Sequence, residues 1–365
     1  MSKTGRHIII SGGGTGGHLF PALAIADNLK KADKNLSILF VGAKGKIESQ
    51  KVPEAGYDIK LLPVIGFSRK LSFKNITFFF KLLRSLWMAR KIVRQFKPDI
   101  AVGVGGYASG PMVYSAARKG AKIILQEQNS FPGVTNKLLA KYAEKICVAY
   151  DNTDRFFPKE KIIKTGNPVR SDLLNVDLSQ EKAKAFFGFD PDKKLILSLG
   201  GSGGAKSINE GIAENIQNIV DSGTQLLWQT GAYYFEDFSK KAVQYSNTQI
   251  KATAFINRMD LAYKAADLVI SRAGAGTISE LCLLKKACIL VPSPHVAEDH
   301  QSKNAQALVE TKAAVPVKDN ECKKLLVSTT LETIQNDERL NSLSENIYKH
   351  AVHNSAENIA NEILN

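Results

Sequence analysis

"ISGGGTGGHLFPALAIA", Ile10 to Ala26, packs five glycines into the six positions Gly12–Gly17 and places His18 directly behind them. Glycine loses more backbone entropy on ordering than any other residue, so such a cluster marks a tight turn or a close backbone approach to a ligand. The preceding "RHIII" has the composition of a short apolar strand, and "FPALAIADNLKKA" beyond the turn has helical spacing. A strand, a glycine turn and a helix aim unpaired backbone N–H groups at an anion such as a phosphate. An imidazole titrates near neutral pH, so His18 reads as a general base facing whatever the turn admits, against the plainer reading of a residue that closes the turn.

The same unit recurs along the chain. Val/Ile/Leu-rich strands alternate with helical stretches at "HIIIS", "SILFVG", "YDIKLL", "DIAVGVG", "KIILQE" and "KICVAY", then at "KLILSLG", "QLLWQT", "IKATAFI", "DLVISR", "ACILVPS" and "AAVPV". Continuous apolar strands with helical crossovers form parallel sheets covered on both faces. Two such series predict two doubly wound, Rossmann-like α/β domains with a cleft between them. The seam falls in "KTGNPVRSDLLNVDLSQ", which divides the chain into 1–168 and 169–345. The remaining 346–365 ends in "NSAENIANEILN", an amphipathic helix expected to pack back on the first domain. Glycine turns follow strands at Gly12–Gly17, Gly103–Pro111, Gly200–Ser207 and Arg272–Glu280. Ligands of open α/β sheets bind outside the carboxyl ends of the strands, so these turns predict an acceptor on one domain and a donor on the other.

Composition narrows the choice. The 365 residues are 44% hydrophobic, enough for two cores. No run of about 18 uncharged apolar residues exists to span a bilayer. "MSKTGRH" leads into the first strand without a leader pattern. Cys147, Cys282, Cys288 and Cys322 lack metal-like spacing and read as buried thiols of a reducing cytoplasm. The net charge of +14 favours an anionic partner. Between Ile59 and Pro98 stand ten Lys or Arg and no Asp or Glu. Drawn as a helix, this segment puts Lys81, Arg84, Lys91 and Arg94 on one face and Phe79, Leu82, Leu86 and Val93 on another, with Phe78, Leu83 and Trp87 adding apolar bulk. A basic, aromatic-tipped helix suits the plane of an anionic lipid surface rather than nucleic acid.

Rival motifs are weaker. Gly12, Gly14 and Gly17 fit a dinucleotide fingerprint, but no acid stands between Lys34 and Ile47 to hold a ribose. "GGSGGAKS" approaches a P-loop, yet Ala205 occupies a required glycine position. Asp190 and Asp192 form D-x-D in a polar turn before a strand, at the wrong end for a site, so no metal is expected there. Glu298, Asp299, His295 and His300 suit sugar hydroxyls better than a metal. In "TISE", Glu280 reads as the partner of Thr277 in a capping box and as a carboxylate for a ribose diol, two compatible readings because a capped helix holds its first turn still.

Taken together, "GGTGGHLFPALAIA", "GVGGYASGP", "QEQNSFPGVTNKLLA", "GNPVR", "GGSGGAKSIN", "AFINRMDLAYKAADLVISRAGAGTISE" and "DHQSKNA" run in an order that resembles the MurG family of UDP-N-acetylglucosamine transferases, nearly end to end. The resemblance implies a GT-B fold and an inverting, metal-independent reaction that needs no cofactor. GlcNAc would pass from UDP-GlcNAc to the C4 hydroxyl of MurNAc in lipid I at the cytoplasmic face of the bacterial inner membrane. It also implies a role in peptidoglycan synthesis and cell division, with cell-wall and division proteins as possible partners. Donor contacts carried over by the resemblance fall on Thr15, Gly16, Gly17, Asn129, Arg170, Ser202, Ile256, Ala275, Gly276, Thr277, Ile278, Ser279, Glu280 and Gln301. His18 corresponds to the base, and Gly105, Gly106, Tyr107 and Ser109 to an acceptor diphosphate loop. Gly203, Gly276 and His300 depart from the commonest family pattern of Gln, Leu and Gln. The alternatives are another lipid-directed GT-B glycosyltransferase and a non-catalytic sugar-nucleotide-binding scaffold.

Overall fold

The computed structural model describes residues 5–65, 74–170, 173–174, 176–201, 203–243, 245, 249–296 and 299–365. Ser202, Glu298, residues 66–73 of the basic segment and the side chain of Lys74 lie outside what is described. The chain forms two compact units, Met1–Arg170 with His353–Asn365, and Ser171–Val352.

The first unit is built on seven parallel strands: β1 (His7–Ser11), β2 (Ser37–Ala43), β3 (Asp58–Leu62), β4 (Ile100–Gly103), β5 (Lys122–Glu127), β6 (Lys145–Val148) and β7 (Ile162–Lys164). Their order across the sheet is β3-β2-β1-β4-β5-β6-β7. Strand β7 is absent from the sequence reading, because three half-exposed residues at a sheet edge carry too little apolar pattern to announce a strand. Side chains alternate across the sheet: Ile8 and Ile10 join one buried layer and Ile9 the other. The first layer is covered by α1 (Gly16–Ala32) and by the C-terminal helix Ser355–Leu364, whose Ile359 and Ile363 are fully buried there. Beyond α2 (Glu48–Glu54), the opposite layer is covered by α3 (Lys74–Phe96) and α4 (Ser109–Ala117), with α5 (Val134–Leu139) beside α4.

The second unit repeats the plan with β8 (Leu195–Leu199), β9 (Gln225–Gln229), β10 (Ile250–Thr253), β11 (Leu268–Ser271), β12 (Cys288–Leu290) and β13 (Val315–Pro316), in the order β10-β9-β8-β11-β12-β13. All pairings are parallel. Asp190 and Asp192 sit in an exposed turn before β8, where the Asp190 carboxylate accepts the Asp192 N–H at 3.0 Å. All four cysteines are buried and unpaired, and burial pushes Cys147 and Cys282 up to about 12, which leaves them unreactive thiols.

A buried cation at the start of β11 gives a pH test of this fold. Lys286 donates to the Ala266 carbonyl at 2.8 Å, and burial, partly offset by the Asp267 carboxylate, lowers its ammonium to about 8. Between about pH 8 and 10.5 the unfolded chain holds a proton that the folded chain does not, so this group favours folding more as pH rises through that window. Below it, carrying the charge costs about 3 kcal/mol. Lys286→Met removes that cost but leaves the Ala266 carbonyl unpaired, which returns about 1 kcal/mol. Denaturant melts are expected to show the variant about 2 kcal/mol more stable at pH 7. Its advantage should shrink by pH 10; an advantage independent of pH would contradict the assignment.

Candidate functional site

Each sheet reverses its strand order once, and the glycine turns lie at those reversals. In the first sheet β1 and β4 are neighbours whose chains continue in opposite directions, with Ser11 level with Gly103. In the second, β8 and β11 stand in the same relation, with Leu199 level with Ser271. A crevice opens at such a switch point because the two crossovers leave toward opposite faces. All four sequence-predicted turns are therefore paired, two per unit, at the positions where α/β sheets bind ligands.

In the first unit the two turns are in close contact. Gly106 has φ +84°, and a Cβ there would lie 2.3 Å from the Gly13 carbonyl oxygen. Gly105 has φ +89°, and a Cβ there would lie 2.9 Å from Cε1 of His18. Glycine at 106 thus lets the two turns meet, and glycine at 105 makes room for the imidazole, which sits half-buried in the first turn of α1. Thr15 and Gly17 are exposed beside it, Gly16 is half-buried, and Tyr107 stands 56% exposed. Ser109 is instead fully buried, its hydroxyl near Gly103, so this position offers the helix backbone rather than its side chain. Arg170 closes the unit with its guanidinium 4.7 Å over the Phe20 ring.

Two buried acids organise these loops, and neither was singled out from sequence. Glu48 is 1% exposed and accepts N–H bonds from Gly14 at 3.0 Å and Ala43 at 2.9 Å. The first acid after β2 is thus spent on the glycine turn itself, which removes it as a ribose ligand. Glu127 accepts from the backbone and side chain of Asn129 at 3.0 and 3.1 Å, and from Asn136 at 2.9 Å. Only their predicted neighbours pointed to them, because a buried carboxylate with backbone partners leaves no periodic trace.

In the second unit, the helices Lys206–Glu214 and Ala275–Leu283 begin at the two turns, with Ala205 and Gly274 as N-caps and no side-chain cap on either. A helix N-terminus of this kind, at a strand-to-helix turn, favours an anion. Ala275 and Ile278 are buried, whereas Gly276, Thr277, Ser279 and Glu280 are half-buried. The capping-box reading of "TISE" is corrected: Thr277 lies inside the helix, not at its cap, and Glu280 accepts the Tyr263 hydroxyl at 2.8 Å. Gln229, also missed in the sequence, donates to the Gly201 carbonyl at 3.2 Å and accepts the Ile256 N–H at 2.9 Å, joining two predicted donor segments. A cavity of about 600 Å³ beside these turns is lined by Gly200, Gly204, Ser207, Arg272, Ser293 and Gln301, among others. Gln301 accepts the Ser293 N–H at 2.8 Å. Burial opposes charge on Asp319, but the Ser207 hydroxyl and the Arg272 guanidinium outweigh it and hold the carboxyl below its usual range.

Helix α3 departs from its helical drawing. Phe79, drawn on one face with Leu82, Leu86 and Val93, is 60% exposed, and Phe80, Leu83 and Trp87 are 71%, 65% and 64% exposed. Ser85, Ala89, Ile92 and Val93 form the buried stripe instead. Among the described side chains of α3, the buried positions lie from Ser85 onward, while Phe79, Phe80 and Leu83 before them are exposed.

Two doubly wound α/β domains, each with a pair of glycine turns at its switch point, form the frame of a two-domain glycosyltransferase. Models of the glycosyltransferase family 28 N-terminal and C-terminal domains match residues 8–148 and 195–362. A relative from Parabacteroides distasonis, named UDP-N-acetylglucosamine–N-acetylmuramyl-(pentapeptide) pyrophosphoryl-undecaprenol N-acetylglucosamine transferase, is 55% identical over 98% of this chain and 97% of its own. A relative of the same name from Phocaeicola vulgatus is also 55% identical, over 98% of this chain and 95% of its own. The crystal structure of Acinetobacter baumannii MurG superposes with a TM-score of 0.74 at 27% identity, covering 98% of this chain and 99% of that one. The chain belongs to glycosyltransferase family 28, among the MurG-type transferases.

Proposed function

We infer that this chain transfers GlcNAc from UDP-GlcNAc to the MurNAc of undecaprenyl-diphospho-MurNAc-pentapeptide, converting lipid I to lipid II in peptidoglycan synthesis. The observation that carries the reading is the full-length identity to transferases of that name. His18, set between two glycine turns at a switch point, is what makes the fold a catalyst rather than a scaffold.

The chemistry follows from the residues. The acceptor hydroxyl loses its proton to His18 as its oxygen bonds to the anomeric carbon, and the bond from that carbon to the UDP oxygen breaks with its electron pair. One displacement inverts the configuration. Charge developing on the diphosphate is stabilised by the uncapped helix N-termini of the second unit and by Arg170. Glu280, held by Tyr263, accepts the ribose hydroxyls, and Gln301 meets the sugar. Gly105, Gly106 and Tyr107 take the acceptor diphosphate. Transfer of labelled GlcNAc to a lipid I analogue, with a diacylglycerol acceptor as control, tests the reading. Transfer to diacylglycerol alone would replace it with another lipid-directed activity.

The ribose contact yields a separate test. Glu280→Gln removes a charge-assisted bond and is expected to weaken UDP binding by roughly 1.5–3 kcal/mol. A 2′-deoxy donor should bind wild type poorly but the variant hardly worse than UDP. Equal UDP affinity in calorimetry for both proteins would leave Glu280 only its bond to Tyr263.

Among the described residues no helix is long and apolar enough to cross a membrane. In this reading the lipid substrate is reached from the membrane surface, and the exposed aromatic start of α3 with its basic residues is the docking element. We assign the protein a peripheral position on the cytoplasmic face of an anionic membrane, a reading supported by the basic residues and exposed aromatics of α3.

A further inference from the structure

We propose that Gln128 is the positioning residue that holds His18 in the tautomer able to act as a base, an assignment that rests on the catalytic reading of His18 given above. Gln128 lies just past β5 and is 2% exposed. Its amide nitrogen donates to the Val104 carbonyl at 2.9 Å and also to Oε1 of Gln126. A backbone carbonyl can only accept, so the atom facing Val104 must be the NH₂ group. The other amide atom, 3.0 Å from Nδ1 of His18, is then the oxygen, which can only accept. Nδ1 therefore carries the proton, and the lone pair of the neutral ring sits on Nε2.

A closed set of buried amides keeps Gln128 in this orientation. Gln126 donates to Oδ1 of Asn167 at 3.4 Å, and Asn167 donates to the main-chain carbonyl of Gln128 at 3.1 Å. Gln126, Gln128 and Asn167 are each under 5% exposed, so flipping one amide would set like groups against each other away from water. Gly105 leaves the space that the Cε1 side of the ring occupies. Among the described residues, Gln128 is the hydrogen-bond partner of the His18 side chain. The partner is an amide rather than a carboxylate. It orients the imidazole and supplies only a dipole when Nε2 takes the acceptor's hydroxyl proton, so that Nδ1–H is retained throughout and the proton leaves again to solvent from Nε2.

Nitrogen-15 spectra of histidine-labelled enzyme test this directly, with His18 assigned among the six histidines by its loss in His18→Ala. Wild type is expected to show a protonated Nδ1 and a bare Nε2. Gln128→Leu should mix the tautomers and lower kcat about 10- to 100-fold, the cost typical of removing the group that orients a working histidine. KM for UDP-GlcNAc should stay unchanged. Gln128→Glu should keep the tautomer and much of the rate, and move the acidic limb of the kcat profile to higher pH, because a carboxylate favours the imidazolium. A bare Nδ1 in wild type, or an unmoved limb in Gln128→Glu, overturns the proposal without reference to whether Gln128→Leu folds. The expected tautomer together with full turnover in His18→Ala would instead overturn the base role of His18 and leave the tautomer assignment standing.

Discussion

Replacing His18 by alanine is expected to lower kcat by ~10²–10⁴-fold, the usual contribution of a positioned general base. The affinity for UDP-GlcNAc should hardly change, because the imidazole acts on the acceptor hydroxyl and is not among the predicted donor contacts, of which Ile256, Glu280 and Gln301 belong to the second unit. The two glycine turns sharpen the expectation. Gly105→Ala would set a methyl 2.9 Å from Cε1 of His18 at a φ of +89° that only glycine adopts freely, so it should lose activity through the same imidazole. Single-turnover measurements separate the effects: both variants should bind donor normally and fail in transfer. Near wild-type turnover for His18→Ala at saturating substrates would assign the proton to another group.

Reversing Lys81, Arg84 and Arg90 to glutamate should abolish most vesicle binding. These three exposed residues flank the exposed Phe79, Phe80, Leu83 and Trp87 on α3. Lys91 lies 5.9 Å from the Trp87 ring, so charge and aromatic surface are interleaved rather than segregated. Each Lys or Arg near an anionic leaflet contributes about 1 kcal/mol, so losing three costs about 3 kcal/mol, over a hundredfold in partitioning, before repulsion is counted. Phe80→Ser with Trp87→Ser should weaken binding without changing its salt dependence, because it removes buried apolar area and no charge. Co-sedimentation with vesicles of anionic and of zwitterionic lipid at two salt concentrations distinguishes the contributions. Binding that ignored both salt and the charge reversal would remove α3 from the docking role. Transfer to a water-soluble acceptor analogue should survive the reversal.

Much of this protein is legible in its sequence because the relevant signals are local. An apolar strand, a glycine turn and a helix are specified within some twenty residues, and repetition of that unit entails two doubly wound sheets whichever strands become neighbours. His18, the four glycine turns and the burial of all four cysteines follow from composition and spacing at that range. The order of strands was decided only by the tertiary fold, and with it the fact that the glycine turns meet in pairs at the two reversals. Neighbours far apart in the chain did the rest. Glu48 reaches back to Gly14, Tyr263 holds Glu280 against the capping reading, and Gln229 joins Gly201 to Ile256. The exposed side of Phe79 depends on where α3 leaves the sheet, which helical periodicity does not encode. Likewise His18 is a single titratable residue in the sequence, but which of its nitrogens holds the proton is set by an amide 110 positions away that only folding brings within 3.0 Å.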